Sequence, residues 1–259
     1  MEKFLVIIPY LAREAQGLEI SFAIAGWRKH FLAPHRIVVV GDYPTLLDNQ
    51  ECDFIPCPRI APVEGQYLPH LDIIHKIDQA LIRYPEYDGF IYTCDDIYAV
   101  NDFGPEEILF PKVQDAVMPV VADDEGNGWW KDLGKTRAEC LSYGYGIRNW
   151  VCHLPVYYDT KKYLEILDRH DCRHKSFVVE NLYFNAYYSS RVPLVLAKGN
   201  NLKYPVQGAF NRAEVEKAFK EKIWIYNSVN GWCDEFAEML DAHFELCSTD
   251  YHTRGRSQR

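Results

Sequence analysis

An unbroken apolar segment near the start of the chain, from Phe4 to Ile8, limits the possible folds more than any other feature. The segment ends at Pro9. A continuous apolar run of this length is typical of a strand that is buried on both faces of a parallel sheet, because a half-exposed strand would alternate apolar with polar residues.

The segments that follow continue this pattern up to residue 93. Apolar side chains at helical spacing precede a second apolar run from Arg36 to Val40, and a third short run covers Asp53 to Ile55. A predicted helix over 71–82 then leads to a fourth strand, Phe90 to Thr93. This alternation predicts an α/β fold with an open, mostly parallel, twisted sheet flanked by helices. Ligands of such sheets bind beyond the carboxyl ends of the strands, so functional residues should follow each strand.

Beyond Val121 the alternation breaks down. The residues up to Trp150 are rich in glycine and aromatic side chains and predict a long loop, which is either a lid that grips a sugar or a source of core tryptophans. Helical patterns return over 161–169, 176–188, 212–220 and 233–244, with strand-like pieces over 194–197 and 223–226. We interpret residues 1–250 as one domain, with a donor-binding half over 1–122, an acceptor half over 123–250 and a flexible tail over 251–259.

Composition excludes several classes of function. The net charge of −9 argues against broad electrostatic binding to nucleic acid or to an anionic membrane. The 8 cysteines lack the paired spacing of a zinc ribbon, so we expect reduced thiols. The first apolar run is too short for a signal sequence or a membrane span, and we therefore expect a cytoplasmic protein.

Two adjacent carboxylates, Asp95 and Asp96, follow the predicted strand that ends at Thr93. Two like charges at the ligand-binding edge of a sheet need a cation, and Mg²⁺ or Mn²⁺ commonly binds to one or two carboxylates together with substrate phosphates. The alternative is that one aspartate caps the following turn. The pair therefore predicts a site for a metal ion and a diphosphate.

The triplet Cys94-Asp95-Asp96 resembles the x-Asp-Asp form of the motif that follows the fourth strand in glycosyltransferases of the A-type fold. The resemblance implies that Asp96 is the main metal ligand and that Asp95 lies near the ribose or sugar of the donor, where it is also a candidate catalytic residue. Many members of that group have Asp at the position of Cys94.

The same resemblance implies nucleotide-binding positions after the first two strands, in the segment from Pro9 to Arg13 and at Asp42. Tyr10 would stack on the base, and Asp42 would accept a hydrogen bond from its ring N–H. Either Arg13 or Lys76 would neutralise phosphate charge.

Two later blocks complete the resemblance. The segment His153-Leu154-Pro155 is similar to the His-x-Pro segment of Stealth-type sugar-phosphate transferases and of related bacterial and phage transferases. Glu180-Asn181 resembles a Glu-Asp block that supplies the catalytic base in several A-type families. We therefore expect Glu180 to be the base, and His153 to be a metal ligand or a second acid/base group. The alternative for Glu180 is a favourable interaction with a helix dipole, and the alternative for His153 is an ordinary hydrogen bond.

These features predict a glycosyltransferase that uses a nucleoside diphosphate sugar, with UDP as the expected nucleotide, a hydroxyl acceptor, and Mn²⁺ or Mg²⁺ as cofactor. A Stealth-like transfer of sugar 1-phosphate and a catalytically silent nucleotide-sugar binding module are the alternatives. The expected acceptor is a glycan, and the acidic composition disfavours a modified DNA base of the kind found in phages. The sugar, the stereochemistry of transfer and the oligomeric state are left open.

Overall fold

The computed structural model describes residues 4–42, 52–61, 68–113, 117–120, 128–196 and 202–246. Its elements, in chain order, are β1 Phe4–Tyr10, α1 Glu19–His30, β2 His35–Gly41, β3 Asp53–Pro56, α2 Pro69–Arg83, β4 Gly89–Tyr92, β5 Ile97–Ala99, α3 Pro105–Leu109, β6 Lys112–Val113, α4 Gly128–Ser142, β7 Val156–Asp159, α5 Thr160–Arg169, α6 Val179–Tyr187, β8 Leu194–Val195, β9 Lys203–Val206, α7 Arg212–Glu221, β10 Trp224–Asn227 and α8 Asp234–Phe244.

The central sheet has the strand order β3-β2-β1-β4-β7. β1, β2, β3 and β4 run parallel, and β7 is antiparallel to β4. The predicted α/β architecture with a mostly parallel sheet is therefore confirmed. The strand order reverses between β1 and β4, because β2 and β3 extend the sheet on one side of β1 and β4 lies on the other. In open α/β sheets, ligands bind at such a switch point, beyond the carboxyl ends of the strands.

Strand β1 is buried on both faces, as its unbroken apolar sequence predicts. Leu5 and Ile7 belong to a core shared with α2, α5 and α6, whereas Val6 and Ile8 belong to a core shared with α1. This division follows from the two-residue period of a strand, which sends successive side chains to opposite faces. Helices on both faces thus leave the strand ends as the accessible edge of the sheet.

A second sheet, β5-β10-β9, packs against the opposite side of α1. The contact is close at Gly26, where an added Cβ would lie 2.8 Å from the carbonyl oxygen of Ala99. β10 pairs antiparallel with β5, the strand that follows the two aspartates. The last residue of β10, Asn227, is thereby brought next to the central sheet.

The predicted loop up to Trp150 is wrong over 128–142, which forms helix α4. The buried positions of this helix are Asp132, Leu133, Thr136 and Cys140, which have helical spacing. Two of these four residues are polar, so the helix shows little apolar periodicity in the sequence. The Thr136 hydroxyl donates to the Asp132 carbonyl and accepts from the backbone N–H of Val178, which satisfies it inside the protein.

The other predicted helices and strands agree closely with the observed elements, whereas α3, β5, β6, β7 and β9 were not predicted. The seven cysteines in the described ranges are free thiols, and Cys247 and the predicted tail over 251–259 lie outside them. None of the helices in the described part of the chain has the length and apolar character needed to cross a membrane.

Candidate functional site

A cleft of about 350 Å³ lies beyond the carboxyl ends of β1 and β4, at the switch point of the sheet. We call it the strand-end cleft. Its walls are the end of β1, the segment before α1 with the first turn of that helix, one side of α2 and the turn between β4 and β5. It brings together six residues predicted for the site: Pro9, Tyr10, Lys76, Asp95, Asp96 and His153.

The two predicted metal ligands contact each other in this cleft. His153 Nε2 lies 3.2 Å from Asp96 Oδ2, and both side chains are partly exposed to the cleft. The second carboxylate oxygen, Asp96 Oδ1, is buried and has no hydrogen-bond partner among the described residues. No group of three or more His, Cys, Asp or Glu side chains in the described ranges is arranged to hold a metal ion. The protein itself therefore offers a pair of donors.

The backbone of His153 is in the left-handed region, with φ of 49°. This conformation is uncommon for residues other than glycine, although histidine, asparagine and aspartate adopt it more often than most. The His153 ring also packs edge-on against Tyr226, with ring centroids 4.6 Å apart. Strained backbone of this kind is concentrated at functional sites, and here it holds the imidazole beside Asp96.

Asp95 is the second acidic residue of the predicted motif. Burial, and then the neighbouring charges of Asp96 and Glu19, raise the pKa of Asp95 to about 8. Burial and Asp96 also raise the pKa of the Cys94 thiol well above its usual range, and its Sγ lies 3.4 Å from the Tyr92 hydroxyl. Cys94 is therefore a neutral thiol and a poor substitute for a carboxylate ligand.

The strand-end cleft is lined by more acidic than basic side chains. Five acidic side chains line it, and the single Lys or Arg in the described lining is Lys76; the acidic residues are Glu14, Glu19, Asp72, Asp95 and Asp96. Lys76 is itself buried and pairs with Asp72, with 2.6 Å between Nζ and Oδ2. A diphosphate would be repelled from this cleft unless further positive charge accompanied it.

A buried hydrogen-bond chain supports the floor of the cleft. The Tyr98 hydroxyl donates to Asn227 Oδ1 at 2.5 Å, and Asn227 Nδ2 donates to Glu19 Oε1 at 2.6 Å. The other oxygen of Glu19 accepts from the backbone N–H of Gln16, also at 2.6 Å. Burial nevertheless raises the pKa of Glu19. The backbone N–H of Asn227 also donates to the carbonyl of Asp96, so β10 stabilises the turn that holds the aspartates.

The predicted nucleotide-binding residues have different positions. Tyr10 is buried at the end of β1, and burial, followed by the charge of Asp95, raises its pKa to about 12. Asp42 follows β2 and is close enough to Tyr10 to contribute to that shift, but it does not line the cleft. Arg13 is exposed, forms an ion pair with Glu14 at 3.0 Å and does not line the cleft either. The roles assigned to these three residues stay predictions.

A second cavity, of about 270 Å³, adjoins the cleft and shares four lining residues with it: Pro69, Ile73, Cys94 and His153. We call it the inner cavity. The predicted base, Glu180, lines it from the first turn of α6. Burial raises the pKa of Glu180 to about 8, and the charge of Lys203 opposes this effect. The Glu180 carboxyl has no hydrogen bond or ion pair with the rest of the described chain.

Asn181, which stands where several A-type families have an acid, has a structural role. It is fully buried, and its Oδ1 accepts from the backbone N–H of Trp150 at 2.7 Å. Its Nδ2 donates to Asn149 Oδ1 at 3.1 Å. The Asn181 amide therefore holds the segment that leads to His153. Asn181 lines neither the strand-end cleft nor the inner cavity, so an acid at this position would not add a carboxylate to either of them.

Sequence reasoning missed several residues of the site. The sequence does not single out Glu19, because an acidic residue in the first turn of a helix is common without any functional role. Asn227 follows a predicted strand, which is a usable signal, whereas Asp132 belongs to the segment that was predicted as a loop. Lys203 lines neither cavity but affects Glu180 through its charge, its ammonium donates to the carbonyl of Cys152, and no sequence pattern distinguishes it.

No protein-family model matches the sequence, and no curated protein is significantly similar to it. Among solved structures, one described as the apo form of the WbbM bifunctional glycosyltransferase superposes with a TM-score of 0.54 at 13% identity, over 94% of this chain and 50% of that chain. The chain thus spans about half the length of that neighbour. Together with the strand order, this likeness shows the glycosyltransferase A-type fold.

A second solved structure is described as a glycosyltransferase involved in the glycosylation of the major capsid of PBCV-1. It is 13% identical, with a TM-score of 0.41, over 95% of this chain and 100% of that chain. A TM-score this low is not sufficient to establish a shared fold, so only the first likeness bears on the architecture.

Proposed function

We propose that the protein is a glycosyltransferase that moves a sugar from a nucleoside diphosphate sugar, with UDP as the expected nucleotide, to a hydroxyl group of an acceptor. The observation that carries the proposal is the convergence of Asp95, Asp96, His153 and Lys76 on one cleft at the switch point of the sheet. The A-type fold, shared with a structure described as a bifunctional glycosyltransferase, supports it as an analogy of fold.

The residues present fit a divalent metal ion. Asp96 has a buried carboxylate oxygen without a partner in the described chain, and its other oxygen faces His153. Mg²⁺ and Mn²⁺ are commonly held by one or two side chains, with phosphate and water oxygens completing the coordination. A metal ion held by Asp96 and His153 would supply the positive charge that this acidic cleft needs to accept a diphosphate.

Glu180 is the proposed general base. In the transfer, the acceptor oxygen forms a bond to the anomeric carbon while the bond from that carbon to the diphosphate oxygen breaks, and the nucleoside diphosphate leaves. The proton of the acceptor hydroxyl goes to the Glu180 carboxylate. A raised pKa suits this role, because a base is most effective when its pKa lies near the working pH.

The decisive experiment is the identification of the nucleotide product. The protein would be incubated with nucleotide sugars labelled in the sugar, with Mn²⁺ and with mixed glycan acceptors, and the nucleotides would be separated by chromatography. We expect the nucleoside diphosphate together with a labelled glycan. Formation of the nucleoside monophosphate would instead identify a sugar 1-phosphate transferase, and binding without turnover would identify a silent binding module.

A further inference from the structure

The inner cavity combines apolar walls with scattered polar groups. Its walls include Ile74, Ile77, Val151 and Val178, together with the rings of Tyr92 and Tyr158. Trp129 also lines it and lies beside His70, with ring centroids 5.3 Å apart. Such walls suit a ligand with flat apolar faces, and aromatic rings beside polar groups are typical of small-molecule sites.

Two hydroxyl groups in the lining have no hydrogen-bond partner among the described residues. Thr93 and Tyr163 are each 1% exposed, and neither Thr93 Oγ1 nor Tyr163 Oη makes a hydrogen bond within the described part of the chain. Proteins seldom leave buried polar atoms unpaired, so each such atom needs an explanation. A ligand with hydrogen-bonding groups on its edge would satisfy both.

The polar lining also constrains the charge of the ligand. Asp132 and Glu180 line the inner cavity, and no Lys or Arg side chain is among its described lining residues. Ser176 donates a hydrogen bond to Asp132, which keeps this buried carboxylate in place. A phosphate or carboxylate on the ligand would therefore meet carboxyl groups and no cation among the described lining residues, since Lys135, whose Nζ pairs with Asp132 Oδ1 at 3.5 Å, lies outside the lining.

We propose that the inner cavity binds an uncharged pyranose ring, the acceptor end of a neutral glycan. This inference rests on the proposed function, in which Glu180 accepts the proton of the acceptor hydroxyl, so the acceptor should bind next to Glu180. A pyranose has apolar C–H faces and hydroxyl groups around its whole edge. The cavity matches that pattern, with polar groups from five parts of the fold: Thr93 after β4, His70 on α2, Asp132 on α4, Tyr163 on α5 and Glu180 on α6. A phenol, with a single hydroxyl, would leave most of these groups unpaired.

The test uses Tyr163→Phe and Thr93→Val, which delete the unpaired hydroxyls. The centroid of the Tyr163 ring lies 5.0 Å from that of Phe90 and 5.1 Å from that of Tyr158. Tyr163→Phe keeps these ring contacts, so we expect the fold and the Tm of this variant to be unchanged. Methyl glycosides of neutral hexoses, their 6-phosphates and the matching uronic acids would be titrated with and without UDP and Mn²⁺. We expect the neutral glycosides to bind best, and each variant to weaken them about tenfold with the Kd for UDP unchanged.

Three results would overturn the assignment. The first is equal or tighter binding of the charged glycosides, and the second is no binding of any methyl glycoside to a protein that binds UDP. The third is a variant that weakens the binding of a UDP-sugar more than the binding of UDP, because this would place the donor sugar in the inner cavity. Failure of every nucleotide and nucleotide sugar to bind is a separate outcome that contradicts the proposed function, while the glycoside titration without UDP still decides what the cavity binds.

Discussion

His153 Nε2 lies 3.2 Å from Asp96 Oδ2, although 57 positions separate the two residues in the chain. The reason is the antiparallel pairing of β4 with β7, which places Tyr92 opposite Val156. Residues just after β4 must then lie beside residues just before β7. The left-handed backbone at His153 completes the approach of the imidazole to the carboxylate.

This relationship predicts that Asp96→Asn and His153→Gln each weaken metal-dependent nucleotide binding. With Mn²⁺ present, UDP should raise the Tm of the native protein, because a ligand that binds only the folded state stabilises it. We expect each variant to need at least about tenfold more Mn²⁺ for the same shift. Glu216→Gln, at an exposed position of α7, is the matched control and should behave as the native protein. Unchanged Mn²⁺ dependence in both site variants would contradict the metal assignment.

Glu180→Gln is predicted to lower kcat by about 10²- to 10⁴-fold, the usual contribution of a general base. In the native enzyme, kcat/KM should rise with pH and level off above about 8, because burial raises the pKa of Glu180 to about 8 and the base acts only when ionised. Transfer rates measured from pH 6 to 9 would show this profile. A native profile that is flat across this range would exclude Glu180 as the base.

Glu180→Gln should lower kcat but raise the stability of the folded protein at neutral and alkaline pH. Burial raises the pKa of Glu180 to about 8 in the folded protein from its ordinary value of 4.5 in the unfolded chain, so unfolding between these pH values releases a proton. The free energy of unfolding of the native protein therefore falls as pH rises from about 5 to 8. Glu180→Gln removes this loss, and its stability relative to the native protein should increase over that range. Urea unfolding at pH 5, 6.5 and 8 checks the trend; a constant difference would contradict it.

Asn227→Ala should lower the free energy of unfolding by about 1–3 kcal/mol, because it removes the hydrogen-bond partner of the Tyr98 hydroxyl and of Glu19 Oε1. The loss should be larger at pH 8 than at pH 5, since the Asn227 amide lowers the pKa of Glu19 and so favours its ionised form. Val229→Ala, at a side chain that is 76% exposed, should change stability by less than about 0.5 kcal/mol. Equal losses of unfolding free energy in Asn227→Ala and Val229→Ala would argue against a stabilising role for the buried hydrogen bonds of Asn227.

His243 is predicted to make the protein sensitive to acid. Burial, followed by the charges of Lys29 and His30, lowers the pKa of His243 to about 4 from its ordinary value of 6.5. His30 Nε2 lies 3.2 Å from His243 Nε2, and His30 Nδ1 pairs with Asp102 at 2.9 Å. The unfolded chain takes up a proton first, so stability should fall as pH drops from 6.5 to about 4.

His243→Phe should reduce this slope, because phenylalanine keeps an aromatic ring next to Phe219 and Phe244 but cannot be protonated. His75→Gln, at an exposed position of α2, is the control and should keep the native slope. Parallel stability curves for the native protein and His243→Phe would show that another group causes the acid sensitivity.

Much of the central sheet was predictable because its strands are nearly all apolar and are separated by amphipathic helices. Helix α4 was not, since its buried side includes Asp132 and Thr136, whose partners Ser176 and Val178 come from a distant segment. Polar side chains can face a core when tertiary contacts satisfy them, and local periodicity does not reveal those contacts.

For the site, the sequence by itself determined which residues follow the ends of β1 and β4, because an apolar run that stops at a polar residue marks the edge of a parallel sheet. It thus predicted that Tyr10, Asp95 and Asp96 lie at this edge, where they line the cleft. The resemblance of the His-x-Pro segment led us to expect His153 there as well, whereas only the tertiary structure showed that Asn227 lines the cleft and that Arg13 does not. Pairing of β7 and β10 with earlier strands depends on contacts between segments far apart in the chain, and those contacts leave no trace in local spacing.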